Sequence, residues 1–256
     1  MRMNRKIVYG YGTGVLLAGI LNNTVMAGEP GKTNVAPSLF PWVVSVSAGP
    51  VWARGGESQT FFLAPDIEKT YAADKSSNGL FYGEIFLGLQ KSLVRQFQGQ
   101  IGVAVAATGD ADLSGEIWDD ADPQFNNYAY NYKLSHSHIA LKGKLLAGQW
   151  NTLIPWISGS IGAGFNRAHE FHNRPTIFEA LANPDFASHT KTAFTYTVGA
   201  GVQKVLNNHW QAGVGYEFAD WGKSELSRAE SQTLNSGLAM DHLRTNGVLF
   251  NITYIA

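Results

Sequence analysis

An acidic stretch between residues 110 and 117 has the residue types of a calcium-binding loop. The candidate ligands are Asp110, Asp112, Ser114 and Glu116, with Gly115 at the sixth position and Ile117 at the eighth. These residues match the first eight positions of a twelve-residue calcium loop. The twelfth position is Ala121 instead of a bidentate glutamate, although Asp119, Asp120 and Asp122 are available as carboxylates. The stretch is therefore a candidate site for Ca²⁺ or another hard cation, or otherwise an acidic solvated loop.

Serine and histidine alternate in Ser135-His136-Ser137-His138, so a nucleophile and its general base are candidates here. A lipid deacylase built on strands needs a serine and a histidine two residues apart on one face. Here each histidine adjoins a serine and lies on the opposite face, so the pair forms only if a bulge intervenes. His169 and His172 are three residues apart, which does not fit the helical zinc motif. We therefore predict no catalytic residues.

Apolar residues at every second position predict the strands that hold these groups. In the last segment, Val248, Phe250, Ile252 and Tyr254 share one face. The same pattern predicts eight strands, at about 42–51, 79–90, 96–108, 128–146, 152–167, 190–205, 209–220 and 241–256.

The predicted connections alternate between long and short. The long ones are 53–78, 109–127, 168–188 and 221–240, and the short ones are 91–95, 148–151 and 206–208. Bacterial outer-membrane barrels have short periplasmic turns, long outer loops and an even strand count. We therefore predict an all-β fold, an eight-stranded antiparallel up-and-down transmembrane β-barrel.

A soluble lipocalin-like barrel is the alternative, and it would turn the apolar face inward. Glycine and serine dominate the face opposite the aromatic residues, and an eight-stranded barrel has little interior room. This favours the membrane barrel. In the fourth strand, Tyr128, Tyr130 and Tyr132 fall on the inward face of His138. Either they form an aromatic rim above the membrane, or a β-bulge near Leu134 switches the faces.

Five charged residues are predicted to face the barrel interior: Glu84, Lys142, Lys144, Lys191 and Glu217. Buried charges must be paired, so we expect an internal network of salt bridges and hydrogen bonds. A proton or ion pathway is the alternative.

The N-terminus has the pattern of a secretory signal peptide, with a basic start, a short apolar run and small residues before Ala27. We predict cleavage after Ala27, an extended lead-in at 28–41 and a barrel domain at 42–256. Loss of Arg2, Arg5 and Lys6 leaves 16 basic and 20 acidic residues, a net charge of −4, which does not favour nucleic acid. The chain has no cysteine, which excludes a lipoprotein anchor, disulfides and thiolate metal sites.

Two runs near the C-terminus carry a resemblance to a known family. They are Gly-Val-Gly-Tyr-Glu-Phe-Ala-Asp-Trp-Gly at 213–222 and Asn-Gly-Val-Leu-Phe-Asn-Ile-Thr-Tyr at 246–254. With the overall layout, they resemble the small, opacity-like, eight-stranded outer-membrane β-barrel proteins. Members commonly end on an aromatic residue, whereas this chain ends Tyr254-Ile255-Ala256.

The resemblance implies a place in the Gram-negative outer membrane, insertion by the barrel assembly machinery and a role in surface contact or the envelope. Outer-membrane lipid, lipopolysaccharide and an extracellular ligand or host surface are the expected partners. We predict a non-enzymatic barrel with no cofactor apart from the candidate Ca²⁺. The alternatives are a lipid-modifying enzyme and a small-solute pore.

Overall fold

The computed structural model describes residues 40–75, 77–94, 96–148, 151–181 and 183–256. The predicted signal peptide and nearly all of the predicted lead-in lie outside these residues. The strands are β1 (Trp42–Ala53), β2 (Gln59–Ala64), β3 (Ile67–Ala73), β4 (Asn78–Ser92), β5 (Gln98–Thr108), β6 (Ala111–Asp119), β7 (Asn126–Leu146), β8 (Leu153–Pro175), β9 (Phe186–Ala187), β10 (His189–Val205), β11 (Trp210–Asp220), β12 (Ser224–Glu225), β13 (Ser227–Ala229), β14 (Ala239–Met240) and β15 (Arg244–Ile255). A short 3₁₀ helix, Pro123–Phe125, precedes β7.

Within the described residues, eight strands close a ring in the order β1, β4, β5, β7, β8, β10, β11 and β15. Each is antiparallel to both neighbours, and the last strand pairs with the first from Val43↔Ile255 to Ala53↔Thr245. Closure leaves no free edge around the barrel. The predicted eight-stranded up-and-down barrel is confirmed.

The outer surface of the ring carries a belt of exposed apolar side chains, and the inner surface is largely polar. Ile101 and Phe250 face outward with 60% and 61% exposure, whereas Thr253 faces inward with 0%. An apolar exterior around a closed polar interior is the surface of a membrane-spanning barrel of the outer-membrane type. In the part of the chain that the structure describes, no helix is long and apolar enough to cross a membrane.

Close approach between strands explains two interior glycines. A Cβ at Gly102 would lie 2.1 Å from the Leu87 carbonyl oxygen, and one at Gly162 would lie 2.2 Å from that of Ile139. Neither backbone atom can move aside without breaking the ladder. Only glycine fits at these positions.

The long connections predicted at 53–78, 109–127 and 168–188 are wrong as loops, because strands fill much of each. β6 continues the line of β5 along β7, and β8 runs on to Pro175. β3 pairs with β6, and β2 pairs with β3. We call this raised sheet the outer wall: β2, β3, β6, the upper part of β7 (126–134) and the upper part of β8 (168–175).

Two bulges join the wall to the barrel. The pairing Ala107↔Ser137 is followed by Ala111↔Leu134, so the β5–β6 side has one extra residue. In β8, the bulge falls near Glu170, whose φ is 53°. β7 itself alternates without a break from Tyr128 to His138, so the alternative of a face-switching bulge near Leu134 is wrong. The tyrosines lie in the wall and are buried on its inner face, so the predicted aromatic rim is wrong as well.

The inner face of the wall packs on a hydrophobic core that lies over the barrel. Its members come from the wall, the upper barrel strands, β9 and the connection after β11. They include Tyr71, Leu113, Ile117, Tyr130, Tyr132, Phe171, Phe186, Trp221, Leu226, Leu238, Met240 and Leu243. Burial of this many large apolar side chains stabilises the wall as a folded extension of the barrel.

Candidate functional site

Three of the predicted interior charges meet in one buried cluster. Lys142 Nζ donates to Glu84 Oε1 and Oε2 at 2.7 and 2.8 Å and to Glu217 Oε2 at 3.0 Å. Tyr82 donates its hydroxyl proton to Glu84 Oε2 at 3.1 Å. The cluster links β4, β7 and β11 across the barrel, so it ties together strands that are not neighbours in the sheet.

The other two predicted lysines lie apart from this cluster. Lys144 Nζ donates to Gln203 Oε1 at 2.6 Å and lies 4.5 Å from the centre of the Trp156 ring. Lys191 lies higher and donates to Glu225 Oε1 at 2.9 Å. The alternation along β10 predicts the inward face of Lys191 correctly. Its partner Glu225 lies in the connection after β11, for which the sequence pattern predicts no structure.

A stack of aromatic rings lies above the charge cluster. The Trp221 ring centre is 4.1 Å from that of His136 and 4.9 Å from that of His138. His136 Nε2 lies 3.1 Å from His138 Nδ1, and its Nδ1 lies 2.5 Å from Asn166 Oδ1. Asn166 Nδ2 donates to the carbonyl oxygens of Trp221 and Lys223 at 2.8 and 2.7 Å. The connection after β11 is thereby fixed inside the barrel mouth.

Little space remains inside the barrel. A cavity of about 30 Å³ lies among Glu84, Lys142, Lys144, Trp156 and Glu217. This is far below the roughly 300–1,000 Å³ of a ligand pocket. Side chains therefore fill the interior between the aromatic stack above and Trp156 below.

The acidic residues 110–116 do not wrap around a common centre, because residues 111–119 form the extended strand β6. Asp112, Ser114 and Glu116 project from its outer face. The described residues contain no group of three or more His, Cys, Asp or Glu side chains placed to hold a metal ion. The predicted calcium-loop conformation is wrong because period-two burial against the wall's core outweighs the loop motif. Asp110 instead lies 3.3 Å from His169, Oδ1 to Nε2.

The outer face of the wall carries a polar groove of about 380 Å³. Its side chains come from β6, β7, β8 and the end of β3, and are Asp74, Ser114, Glu116, Ala129, Asn131 and Arg174. Ser114 Oγ donates to Asp74 Oδ2 at 2.7 Å, which fixes the acidic edge of the groove. Two of the strands that line the groove, β7 and β8, run on into the barrel, so the groove is held on an ordered sheet.

The opposite face of the wall is rigidified by stacked aromatic rings. Tyr71 stacks on Phe61 at 5.2 Å, Tyr130 stacks on Phe171 at 5.8 Å, and Phe171 packs against Phe186 at 4.8 Å. Burial raises the pKa of the Tyr71, Tyr130 and Tyr132 hydroxyls well above the ordinary value. These three phenols therefore stay neutral in conditions where exposed tyrosines ionise.

The alternating serines and histidines of β7 do not form a hydrolase pair. Ser135 and Ser137 lie on the outer face of β7, opposite the inward His136 and His138. A serine and a histidine do meet elsewhere, where Ser227 Oγ lies 3.4 Å from His189 Nδ1. His189 Nε2 lies 3.5 Å from Glu225 Oε1. No pattern in the sequence indicates this group, because Ser227 and Glu225 lie in a connection without periodicity.

The His169–His172 segment, predicted as loop, lies in β8. His169 faces inward and His172 outward, so the two rings cannot bind one ion.

A closed ring, an apolar belt and a side-chain-filled polar interior define a membrane β-barrel of the outer-membrane type, with an ordered wall on its outer end. This is the fold that the resemblance to opacity-like barrels predicted. No protein-family model matches the sequence, and no curated protein matches it.

Solved structures of outer-membrane barrels are similar to the chain in a general way. OprG from Pseudomonas aeruginosa shares 10% identity over 84% of this chain and 96% of its own, with a TM-score of 0.48. Neisserial surface protein A shares 10% identity over 83% and 96%, with a TM-score of 0.42. The outer-membrane protease OmpT from Escherichia coli shares 8% identity over 85% and 98%, with a TM-score of 0.46. Similarity this low leaves function to be argued from the chain's own residues.

Proposed function

We propose that the protein is a non-enzymatic outer-membrane surface protein in which the barrel is the anchor and the outer wall is the contact surface for an extracellular ligand. The observation that carries the proposal is the wall itself. Its strands continue the barrel beyond the apolar belt, a core of stacked aromatic rings supports it, and its outer face presents a polar groove. An ordered sheet that projects from the membrane is suited to recognition, because it holds its side chains at fixed spacing.

The chemistry of the groove indicates the class of ligand. Glu116 and Asp74 offer carboxylates, Ser114 and Asn131 offer a hydroxyl and an amide, and Arg174 offers a guanidinium. Such a set exchanges several hydrogen bonds with a ligand rich in hydroxyl or amine groups, such as a saccharide or a polar peptide. The proposed ligand is therefore polar and is bound from the aqueous side.

The filled interior supports an anchor in preference to a solute pore. The charge cluster spans the barrel, and the Trp221 stack lies above it. The cavity beside the cluster measures only about 30 Å³, which is far below the roughly 300–1,000 Å³ of a ligand pocket. Planar-bilayer recordings are expected to show no steady conductance steps.

The Ser227–His189–Glu225 group makes a hydrolase the second candidate. Its two contacts, 3.4 and 3.5 Å, lie at the long end for a nucleophile and base, although unliganded sites are often loose. Lys191 also holds Glu225 at 2.9 Å, which competes with His189 for the carboxylate. Labelling of the folded protein by a serine-directed fluorophosphonate, abolished in Ser227→Ala, would favour the hydrolase. Absence of labelling favours the non-enzymatic role.

The contact role is tested by binding of the folded, detergent-solubilised protein to glycan and peptide arrays. Ser114→Trp fills the groove from an exposed position of β6, and Glu116→Gln removes one of its charges. Both variants are expected to lose the array signals of the wild type. Asp66→Asn, an exposed change in the β2–β3 turn outside the groove, is the matched control and keeps them. Array signals that both groove variants retain would contradict the proposal.

A further inference from the structure

The polar groove of the outer wall carries opposite charges on its two sides. Glu116 of β6, Ala129 of β7 and Arg174 of β8 are cross-strand partners in one row, and all three line the groove. Neighbouring strands lie about 4.8 Å apart, so about 10 Å separates the Cα atoms of Glu116 and Arg174. One side of the groove is therefore anionic and the other cationic, with the small Ala129 on the floor between them.

A second carboxylate belongs to the anionic side. Ser114 Oγ donates to Asp74 Oδ2 at 2.7 Å, and the Asp74 backbone N–H donates to the Ser114 carbonyl oxygen at 2.9 Å. These two bonds hold the Asp74 carboxylate on the side of Glu116. Asn131, the cross-strand partner of Ser114, adds an amide to the floor, and an amide offers both donors and acceptors.

The charges of the groove have no ionic partner within the protein. Among the residues that the structure describes, no salt bridge involves Asp74, Glu116 or Arg174. Lower on the same face, by contrast, Lys133 Nζ lies 2.7 Å from Glu170 Oε2. Across about 10 Å of solvent the attraction between the two sides of the groove is largely screened at physiological salt. Both sides are therefore available to a ligand that carries the opposite charges.

We propose that the groove binds a short peptide with both termini free, with the α-ammonium group against Glu116 and Asp74 and the α-carboxylate against Arg174. This inference rests on the proposed contact role of the wall and narrows its ligand to one chemical class. A guanidinium group is suited to the carboxylate because it donates two parallel hydrogen bonds to it. Ser114 and Asn131 exchange hydrogen bonds with the peptide groups between the termini.

The spacing of the charges sets the length of the peptide. The two termini bridge a gap of about 10 Å between the sides of the groove, less a hydrogen bond of about 2.8 Å at each end where they lie between the side chains. An extended chain spans about 3.3–3.6 Å per residue, so two or three residues bridge the gap. The groove volume of about 380 Å³ lies in the range of roughly 300–1,000 Å³ for small-ligand sites.

Tri-alanine in four forms tests the proposal: with both termini free, with the amino terminus acetylated, with the carboxyl terminus amidated, and with both termini blocked. Saturation-transfer difference NMR with the folded protein in detergent micelles gives the dissociation constant of each form. Exposed ion pairs change affinity by about two- to fivefold, so each blocked terminus is expected to weaken binding by that factor. Penta-alanine spans about 17 Å and is expected to engage one side only, so it binds as the singly blocked forms do.

Variants assign each terminus to its side of the groove. Glu116→Gln is expected to weaken binding of the free and amidated forms and to leave the acetylated form unchanged. Arg174→Gln is expected to weaken binding of the free and acetylated forms and to leave the amidated form unchanged. Glu116→Arg combined with Arg174→Glu and Asp74→Asn reverses the charges, so the peptide binds in the opposite direction with an affinity within about twofold of the wild type. Glu116→Arg alone and Arg174→Glu alone are each expected to lose binding.

A matched control separates the groove from the general charge of the wall. Lys133→Gln removes a cation of the same face that Glu170 already pairs. Lys133 lies four residues along β7 from Ala129, roughly 13 Å away, which exceeds the screening length of about 8 Å at physiological salt. This variant is expected to bind all four forms as the wild type does. Gel heat-modifiability verifies that each variant is folded.

Several results would overturn the proposal. They are no binding of tri-alanine by the wild type, equal affinity for the free and doubly blocked forms, and failure of the charge reversal to restore binding. A groove-dependent glycan signal on the array that millimolar tri-alanine does not reduce would also overturn it, but would leave the contact role in place. Array signals retained by both Ser114→Trp and Glu116→Gln would instead contradict the contact role itself, so the two failures are distinguishable.

Discussion

Lys142 is the residue whose removal should most disturb the barrel interior. Its ammonium group makes contacts of 2.7, 2.8 and 3.0 Å to two carboxylates whose side chains are only 2% and 7% exposed. Lys142→Met keeps the length of the side chain but leaves Glu84 and Glu217 facing each other without a counter-charge. Breaking a buried ion pair by removing one partner costs about 3–5 kcal/mol.

Three charge-assisted hydrogen bonds at about 1.5–3 kcal/mol each would add up to a larger loss in the free energy of unfolding. We expect the smaller loss of about 3–5 kcal/mol. A proton bound by one of the two carboxylates relieves the unpaired charge and limits the loss. Neutralising all three positions together, with Glu84→Gln, Lys142→Met and Glu217→Gln, removes the unpaired charge. That variant should recover most of the stability.

Urea unfolding of the refolded barrel in lipid vesicles, followed by tryptophan fluorescence, measures these free energies. Lys144→Met is the control, since among the described residues this lysine donates to an amide oxygen and lies over the Trp156 ring, with no carboxylate paired to it. Its cost should be about 1–2 kcal/mol. The reasoning is refuted if Lys142→Met unfolds within about 0.5 kcal/mol of the wild type, which is typical of surface changes. It is also refuted if the triple variant is as unstable as the single one.

Three further predictions concern the plug, the strand packing and the wall. Trp221→Ala removes the ring stacked on both interior histidines, so we expect a loss of about 3–5 kcal/mol in the free energy of unfolding and transient conductance in planar bilayers; a variant as stable and silent as the wild type would contradict this. Gly102→Ala should block heat-modifiable folding because its Cβ meets a backbone oxygen, whereas Gly83→Ala should fold normally, and equal gel shifts would disprove the steric account. The four buried tyrosines of the wall, Tyr71, Tyr128, Tyr130 and Tyr132, have a raised pKa in the folded state, so their stabilising effect is present below about pH 10 and is lost as the pH rises through the folded value. Ultraviolet titration should show a group of phenols that ionises later than exposed tyrosines, and a single transition near pH 10 would be the contrary result.

Alternation predicted the barrel because the membrane imposes the simplest possible pattern on a strand. Val103 and Val105 face lipid while Ala104 and Ala106 face inward, and burial follows the period of two along β5. The same rule gave the inward face of every predicted interior charge. It does not give their heights along the barrel axis, so it does not show that Lys144 and Lys191 lie apart from the cluster of Glu84, Lys142 and Glu217.

In the outer wall, the period-two signal is present in the sequence but is ambiguous. Leu113 and Ile117 face the wall's core, and Asp112 and Glu116 face water, so β6 also has a period of two. The same residues match a calcium loop, and only the long-range pairing with β3 and β7 decides between the two. Trp221, in contrast, has no local signal in the sequence at all. Its position inside the mouth depends on Asn166, 55 residues away, and no local pattern encodes that contact.

The most direct test of the account is a nitroxide scan of β5 in lipid vesicles. The chain has no cysteine, so single cysteines at residue 101 and at residues 103–106 can each carry a spin label, whereas Gly102 is left unchanged because only glycine fits there. Oxygen accessibility is predicted to be high at 101, 103 and 105 and low at 104 and 106, because the former are exposed on the apolar belt and the latter are buried. A profile with the opposite phase, or one without a period of two, would contradict a barrel whose apolar side chains face the membrane.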